Sequence, residues 1–319
     1  MNLLDIYKEL NTEAKCLTFL EHMRWPDGVK CLSCESLRIT RITAKGRKNR
    51  KTGKRGPDRE LYQCNECRFQ FTATTGTVYH DTHLPLSKWF LAIALITESK
   101  KGISANQLAR ALGVQYRTAW YLAHRIRKSM VEANPPKLTG TVEIDETYIG
   151  GKKRGRRGVK KDKDVVMGIR ERGGDLRLFQ IAAPTSEALA EHIKENVSRD
   201  VKKVMTDEWA AYPAAFIASG IKGGKHSTIR HKDKIYVRGD VHTNTIESAF
   251  SLFKRGITGA FHQVSLKHLQ RYLNEFSFRF NNRKAADLFG MTVARLAAVG
   301  NMPYAKLVEE NAFTPFVRP

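Results

Sequence analysis

The chain is short of acid, of cysteine and of long apolar runs, and each shortage excludes something. Asp and Glu together number 32 against 55 Lys and Arg in 319 residues, a formal charge of +23. That imbalance excludes a self-solvating acidic chain and points to a polyanionic partner. Nucleic acid leads, because each neutralised phosphate releases counterions. No apolar run is long enough for a membrane span, and neither a basic amphipathic terminal helix nor a lipidation motif offers an anchor, so no membrane partner is expected. The opening "MNLLDIYKEL" lacks a charged segment followed by an apolar core, so no secretion signal is read. The expected compartment is the cytoplasm, in association with the nucleoid. Five cysteines cannot staple a chain of this length. Cys31/Cys34 and Cys64/Cys67 form two Cys-x-x-Cys pairs, and Cys16 stands alone. In a reducing compartment such pairs read as metal ligands.

What is present divides into regions. At 41% hydrophobic residues the chain can bury a full core, and its length suits more than one domain. Residues 1–23 read as an N-terminal helix with Leu3, Leu4, Ile6, Tyr7 and Leu10 on one face. Residues 24–80 read as a zinc ribbon, two cysteine knuckles closing a tetrahedral thiolate site with no open position. The 29 residues between the pairs exceed the usual gap. Most of them, "RITRITAKGRKNRKTGKRGPDRE", are basic and nearly free of hydrophobes, so they read as an exposed loop inserted in the ribbon. Residues 85–132 carry apolar positions at helical spacing with helix-turn-helix character. Ser104 caps one helix, Gly113 turns the chain, and a second helix from Gln115 presents Arg117, Tyr121, Arg125 and Lys128 to DNA. The proline break "EANPPKLTG" marks the next boundary.

From residue 139 the texture changes. A strand through "VEIDETYIGG", a hairpin in "VVMGIRERGGDLRLFQIAA", a helix in "SEALAEHIKENV", a strand in "KKVMTDEWAAY" and a later helix in "HTNTIESAFSLFKRG" follow in turn. That order is the order of a ribonuclease-H-like fold over residues 139–290, leaving 291–319 as a C-terminal tail. The fold class is therefore multidomain, α+β and α/β: zinc ribbon, helical helix-turn-helix domain and ribonuclease-H-like catalytic core. In that core the first and fourth strands are neighbours, which brings Asp145 and Asp207 near Glu247 of the late helix. Three carboxylates at such range repel unless a cation neutralises them. Oxygen-only ligands favour Mg²⁺ or Mn²⁺, and two such ions serve in-line phosphoryl transfer. Glu146 and Glu208 adjoin these acids but are expected to point elsewhere. His242 is either a support or DNA contact or a buried satisfied histidine, Trp209 and Tyr212 read as core, and His226 and His231 as loop residues.

"VEIDETYIGG", "VMTDEWAAY" and "HTNTIESAFSLFKRGITGAFHQVSLKHLQRYLNEFSFRFNNR" together resemble the DDE transposases of bacterial insertion sequences. The resemblance is to the ISXO-type branch, with an N-terminal zinc ribbon and helix-turn-helix ahead of the catalytic core. It implies Asp145, Asp207 and Glu247 as catalytic acids and Lys254, nearly two helical turns on, as a phosphate-facing base. Asn244 on the same side of the helix is an alternative or accessory ligand. It further implies double-stranded DNA as partner, at the element's terminal inverted repeats and at a target, and a homo-oligomer of at least two copies. Two other classes fit part of the pattern. A zinc-ribbon DNA-binding regulator leaves residues 140–290 without a role, and a structure-specific nuclease of the same fold would cut without joining.

Overall fold

A computed structural model of the protein describes residues 1–46, 48, 52–56, 58–132, 134–150, 164–221, 223–229, 240 and 242–309. A second basic run, "KKRGRRGVKKDK" at 152–163, expected from its charge to contact phosphate, and His231 lie outside the described residues. The first 24 residues form two helices, α1 (Leu3–Glu9) and α2 (Glu13–Arg24), where the sequence suggests one. The Thr12 hydroxyl accepts from Lys15 N and starts the second helix afresh. Of the apolar face read in α1, Ile6 and Leu10 are buried whereas Leu3, Leu4 and Tyr7 are exposed.

The cysteine region is a three-stranded antiparallel sheet, β1 (Ile39–Ala44), β2 (Arg59–Cys64) and β3 (Gln70–Phe71). This corrects the loop read between the cysteine pairs. Its first third is β1, paired with β2 from Ile39↔Cys64 to Ala44↔Arg59. Alternating Ile and Thr suit a strand whose backbone pairing needs no apolar face, and the intervening arginine masked that pattern. A small aromatic core of Trp25, Tyr62 and Phe71, with ring centroids 5.7–5.9 Å apart, supports the sheet.

Three helices follow: α3 (Leu86–Glu98), α4 (Ala105–Leu112) and α5 (Tyr116–Lys128). Ser104 caps α4, and Gly113, at φ +60°, ends it, as the sequence suggested. They share one core with α1 and α2, built on residues such as Leu20, Phe90, Ile93, Leu108 and Ile126.

The second half is built on a five-stranded sheet. Strands β4 (Thr141–Ile149), β5 (Asp164–Glu171), β6 (Leu176–Ile181), β7 (Lys203–Asp207) and β8 (His226–Ile229) lie in the order β6-β5-β4-β7-β8. β4 pairs antiparallel with β5 and parallel with β7, so the first and fourth strands of this unit are indeed neighbours. β8, parallel to β7, corrects the loop expected around His226. Val142 and Ile144 face α6 (Ser186–Asn196) and α7 (Ala211–Ser219) in one core. The other face packs on α8 (Asn244–Gly256) and α9 (Leu266–Asn281) through Val166, Ile246, Phe250 and Leu273. A π-helical turn, Ile257–Phe261, follows α8 directly.

Residues 291–319, expected as a tail, are in part structural. α10 (Leu288–Ala298) inserts Phe289, Val293 and Leu296 into the core of α1–α5, and α11 (Tyr304–Glu309) follows it. The apolar spacing of "LFGMTVARLAAV" satisfies a helix whose partners lie far back in the chain, and local pattern alone does not reveal those partners. α9 leads into this return and carries a buried ion network. Glu275 Oε2 accepts from Arg127 Nε of α5 at 2.6 Å, and its Oε1 lies 3.1 Å from Arg279 NH2. Arg279 NH1 in turn donates to the carbonyls of Ser99 and Lys100. Removing one member of such a network leaves buried charge uncompensated. Glu275→Ala is therefore expected to destabilise the fold by about 3–5 kcal/mol, read as a fall in the urea midpoint, with Glu275→Gln losing less.

Candidate functional site

Two groups of chemically capable side chains stand apart in this structure, one of sulfur and one of oxygen. The sulfurs of Cys31, Cys34, Cys64 and Cys67 all lie within 4.8 Å of one another, with Cys31 3.5 Å from Cys67 and Cys34 3.6 Å from Cys64. Sulfurs at zinc–thiolate bond length on the corners of a tetrahedron stand about 3.8 Å apart, so the four fit a structural Zn²⁺. Each knuckle is made the same way. The fourth residue after its first cysteine, Glu35 or Arg68, takes a positive φ and donates its N–H to that cysteine's carbonyl at 3.0–3.1 Å. Burial opposes ionisation of Cys31, yet the N–H groups of Cys34 and Ser33 and the neighbouring sulfurs bring its thiol down to about 6.

The oxygen group forms where β4, β7 and α8 meet. Alternation along β4 sends Val142, Ile144 and Glu146 to the α7 side and Glu143, Asp145 and Ile149 to the α8 side. The parallel register Glu143↔Met205, carried two places on, sets Asp145 beside Asp207. Gly168 stands opposite Asp145 on β5, and a Cβ there would come within 2.7 Å of Ile246 and Phe250. Only glycine lets α8 approach this closely, and that approach brings Glu247 over the strand ends. Asp145, Glu146, Glu247 and Lys254 share a cleft of about 640 Å³ with Lys101, Thr147, Phe250 and Arg255, whereas Asp207 does not line it. The three carboxylates do not close to within 4.8 Å of one another as the sulfurs do.

Electrostatics show the acids sensing one another. Burial raises the Asp145 carboxyl; the N–H of Glu146, 2.8 Å from Oδ1, opposes this, and the charges of Glu146, Asp207 and Glu247 push it further, to about 8. Glu146 is raised to about 7, chiefly by burial, while the Tyr212 hydroxyl bonds its Oε1 from α7 and Asp207 adds repulsion. Glu146, expected to point elsewhere, bonds Tyr212 on the α7 side and yet lines the cleft with Asp145. Asp207 Oδ1 accepts from Trp209 N at 3.1 Å, and Glu247 Oε1 accepts from the Thr243 hydroxyl at 2.8 Å.

The remaining sequence candidates divide. Lys254 is exposed along the cleft, two helical turns from Glu247. Asn244 is the exposed first residue of α8 and does not line the cleft. The proposed DNA-reading face of α5 needs correction. The Tyr121 hydroxyl donates to Met302 O, Arg125 NH2 to Asn301 Oδ1 at 3.2 Å, and Lys128 Nζ lies 3.4 Å from Gly300 O. Arg125 is buried with its guanidinium over the Trp89 and Tyr121 rings. These three hold the segment after α10, and the outward face shifts to the start of α5, where Gln115, Tyr116, Arg117 and Thr118 are exposed. Tyr212 is core, as read, and Trp209 is exposed. His226 bonds Thr206 Oγ1 at 2.8 Å from β8.

Sequence reasoning missed Glu143. Fully buried, it accepts from Arg172 Nε at 2.6 Å and from three donors at the start of α8. Its place two residues before Asp145, in phase on the strand, was the available signal. His242, left open between supporting and satisfied roles, has its Nδ1 3.3 Å from Glu143 Oε1 and 3.0 Å from Arg172 NH2.

Two outcomes follow from these geometries. Cys64→Ser should abolish retention of the zinc that the wild-type chain carries through dialysis, read by metal analysis. The raised Asp145 binds a proton more tightly in the folded than the unfolded chain, so between its usual 3.8 and about 8 the metal-free protein loses stability as pH rises. Asp145→Asn should therefore raise the urea midpoint at pH 8 without divalent metal, with the gain shrinking towards pH 4.

Among the described residues no helix is long and apolar enough to cross a membrane. A transposase zinc-ribbon domain matches residues 11–70, and an ISXO2-like transposase domain matches residues 137–281. The chain is also 29% identical over 288 residues to an uncharacterized protein in transposable element ISH50 of Halobacterium salinarum, covering 85% of this chain and 92% of that one. The chain thus carries a transposase zinc ribbon followed by an ISXO2-like transposase domain, and a transposable-element protein matches it along most of its length.

Proposed function

We propose that this transposase binds the terminal inverted repeats of its own element and cuts and joins DNA at the cleft between β4 and α8, in the cytoplasm on the nucleoid. The observation that carries the reading is that Asp145 shares a cleft with Glu247 and senses the charges of both Glu247 and Asp207, the latter on the adjoining parallel strand. Strand order β6-β5-β4-β7-β8, two antiparallel steps followed by two parallel ones, supports a ribonuclease-H-like core. The capped α4, the Gly113 turn and the exposed start of α5 support a helix-turn-helix, whose second helix reads bases from its N-terminal end. On this reading Arg117 is the DNA contact retained from the sequence set, with Tyr116 beside it.

The donor set fits a hard divalent cation. Its side chains offer oxygen alone, and the repulsion that adds to burial in raising Asp145 is what a cation would relieve. Asp145, Asp207 and Glu247 would hold Mg²⁺ or Mn²⁺. When bound, the metal supplies the positive charge that activates an attacking oxygen and offsets charge on the departing one. The residues do the rest. Lys254, Lys101 and Arg255 bring positive charge to the cleft and seat the scissile phosphate and its neighbours. Water attacks phosphorus at the junction of element and flank, and the 3′ oxygen leaves with a proton as a free hydroxyl. That hydroxyl then attacks a target phosphodiester, forming one bond as another breaks, so no energy source beyond the DNA is needed. Two ends must be held together for joining, which requires at least two copies of the chain.

The test is cleavage and strand transfer on labelled DNA carrying the element's end, with Mg²⁺, comparing wild type with Asp207→Ala. Joined product from the wild type and at least a thousandfold less from the variant, on the order expected when an essential catalytic group is lost, is the expected outcome. Cutting without joining by the wild type would favour a nuclease instead. DNA binding by both proteins with no cleavage by either would favour a regulator.

A further inference from the structure

We infer that Glu143 and Arg172 are positioning residues that set the spacing of the three acids from one layer below the cleft. The inference rests on the proposed roles of Asp145, Asp207 and Glu247. Neither Glu143 nor Arg172 lines the cleft, so any influence on chemistry passes through the elements they hold.

Glu143 has no exposed surface, and both of its oxygens are occupied. Oε1 accepts from Arg172 Nε at 2.6 Å and lies 3.3 Å from His242 Nδ1. Oε2 accepts from Thr245 N at 2.9 Å, Thr245 Oγ1 at 2.7 Å and Ile246 N at 3.0 Å. Those two N–H groups belong to the first turn of α8, which has no side-chain cap of its own. A carboxylate on a strand therefore caps a helix remote in sequence, at the end where negative charge is favoured. Arg170, opposite Glu143 on β5, closes the clamp by donating to the Thr245 carbonyl.

Arg172 joins the other parts. Besides Glu143, it donates to the carbonyls of Asp240 at 2.8 Å and His242 at 3.0 Å, and its NH2 lies 2.9 Å from Met205 Sδ. The sequence arithmetic is regular. Glu143 precedes Asp145 by two on β4, Met205 precedes Asp207 by two on β7, and Thr245 precedes Glu247 by two on α8. One ion pair thus touches every acid-bearing element at the same remove from its acid. β4 and β7 also share three paired positions, and α8 packs on β4 and β5 through Ile149, Val166, Ile246 and Phe250. The Glu143–Arg172 pair is the polar tie that fixes how far Glu247 stands from the two aspartates.

The experiment measures Mn²⁺ binding by the zinc-loaded, full-length chain, by electron paramagnetic resonance, beside the Mg²⁺ dependence of cleavage. Arg172→Ala, Arg172→Lys, Glu143→Gln and Asp145→Ala are compared at a temperature where melts show each variant folded. Supporting groups behind metal ligands typically govern about 10–100-fold in metal affinity, and a loss in that range is expected for Arg172→Ala. A parallel rise in half-saturating Mg²⁺ should accompany it, with most of the cleavage rate recovered at saturation and Arg172→Lys in between. A folded Arg172→Ala chain that binds Mn²⁺ as tightly as wild type overturns the inference. Should Arg172→Ala not fold, the near-isosteric Glu143→Gln is read in its place; if neither folds, the pair is merely structural and the inference fails. Asp145→Ala separates the two readings. Its binding Mn²⁺ like wild type would sink the metal-ligand assignment itself, whereas its losing Mn²⁺ while Arg172→Ala keeps it would sink the positioning role alone.

Discussion

A carboxylate sealed from water must be given donors, and in this protein that demand organises the second half of the chain. Glu143 is surrounded by groups from β4, from the end of the β5–β6 hairpin and from the start of α8, segments spread over a hundred residues. An unserved charge at that depth would cost several kcal/mol, so none of these segments can be far from its place while the fold persists. Sheet, hairpin and helix are thereby held by one polar knot whose strictness exceeds that of apolar packing, which tolerates exchange of one hydrophobe for another. The cleft above it inherits this strictness.

Polar ties and apolar surfaces divide the work differently in the two halves. The ribbon has only a small aromatic cluster beneath its sheet, and its two symmetric knuckles bring four sulfurs together. Binding of metal there is folding energy, as in other modules too small to bury a core. The helical half has core enough, and its charged network of Arg127, Glu275 and Arg279 serves to fix α9 against α5 and the end of α3 rather than to supply stability.

How much of this could be read beforehand depended on whether a residue's partners were near it in sequence. Ser104 and Gly113 announced the ends of α4 because capping is local. The cysteine pairs and the strand through Ile144 were legible for the same reason, and the hairpin between β5 and β6 announced itself in "RGGD". β1 was hidden because arginine interrupts its isoleucines and threonines, and β8 because four residues at a sheet edge carry little pattern. Basic side chains on α5 looked outward by spacing. Arg125 nonetheless lays its stem along Trp89 and finds its polar partner at Asn301, which no local rule connects to it. Asp145 and Asp207 could be named as candidates, but the glycine that makes room for α8 opposite Asp145 could not.

The helical core draws on both ends of the chain. Ile6, Leu20 and Phe90 meet Phe289, Val293 and Leu296 across nearly the whole length of the polypeptide, with the five-stranded unit threaded between. During synthesis the first 130 residues emerge long before the helix that completes their packing, so the early half waits, incompletely buried, until the late half arrives. The ribbon can close on its metal at once; the helices behind it cannot. A transposase made this way acquires its helical framework only when almost all of the polypeptide exists. A chain cut short within the sheet is left without a finished helical body.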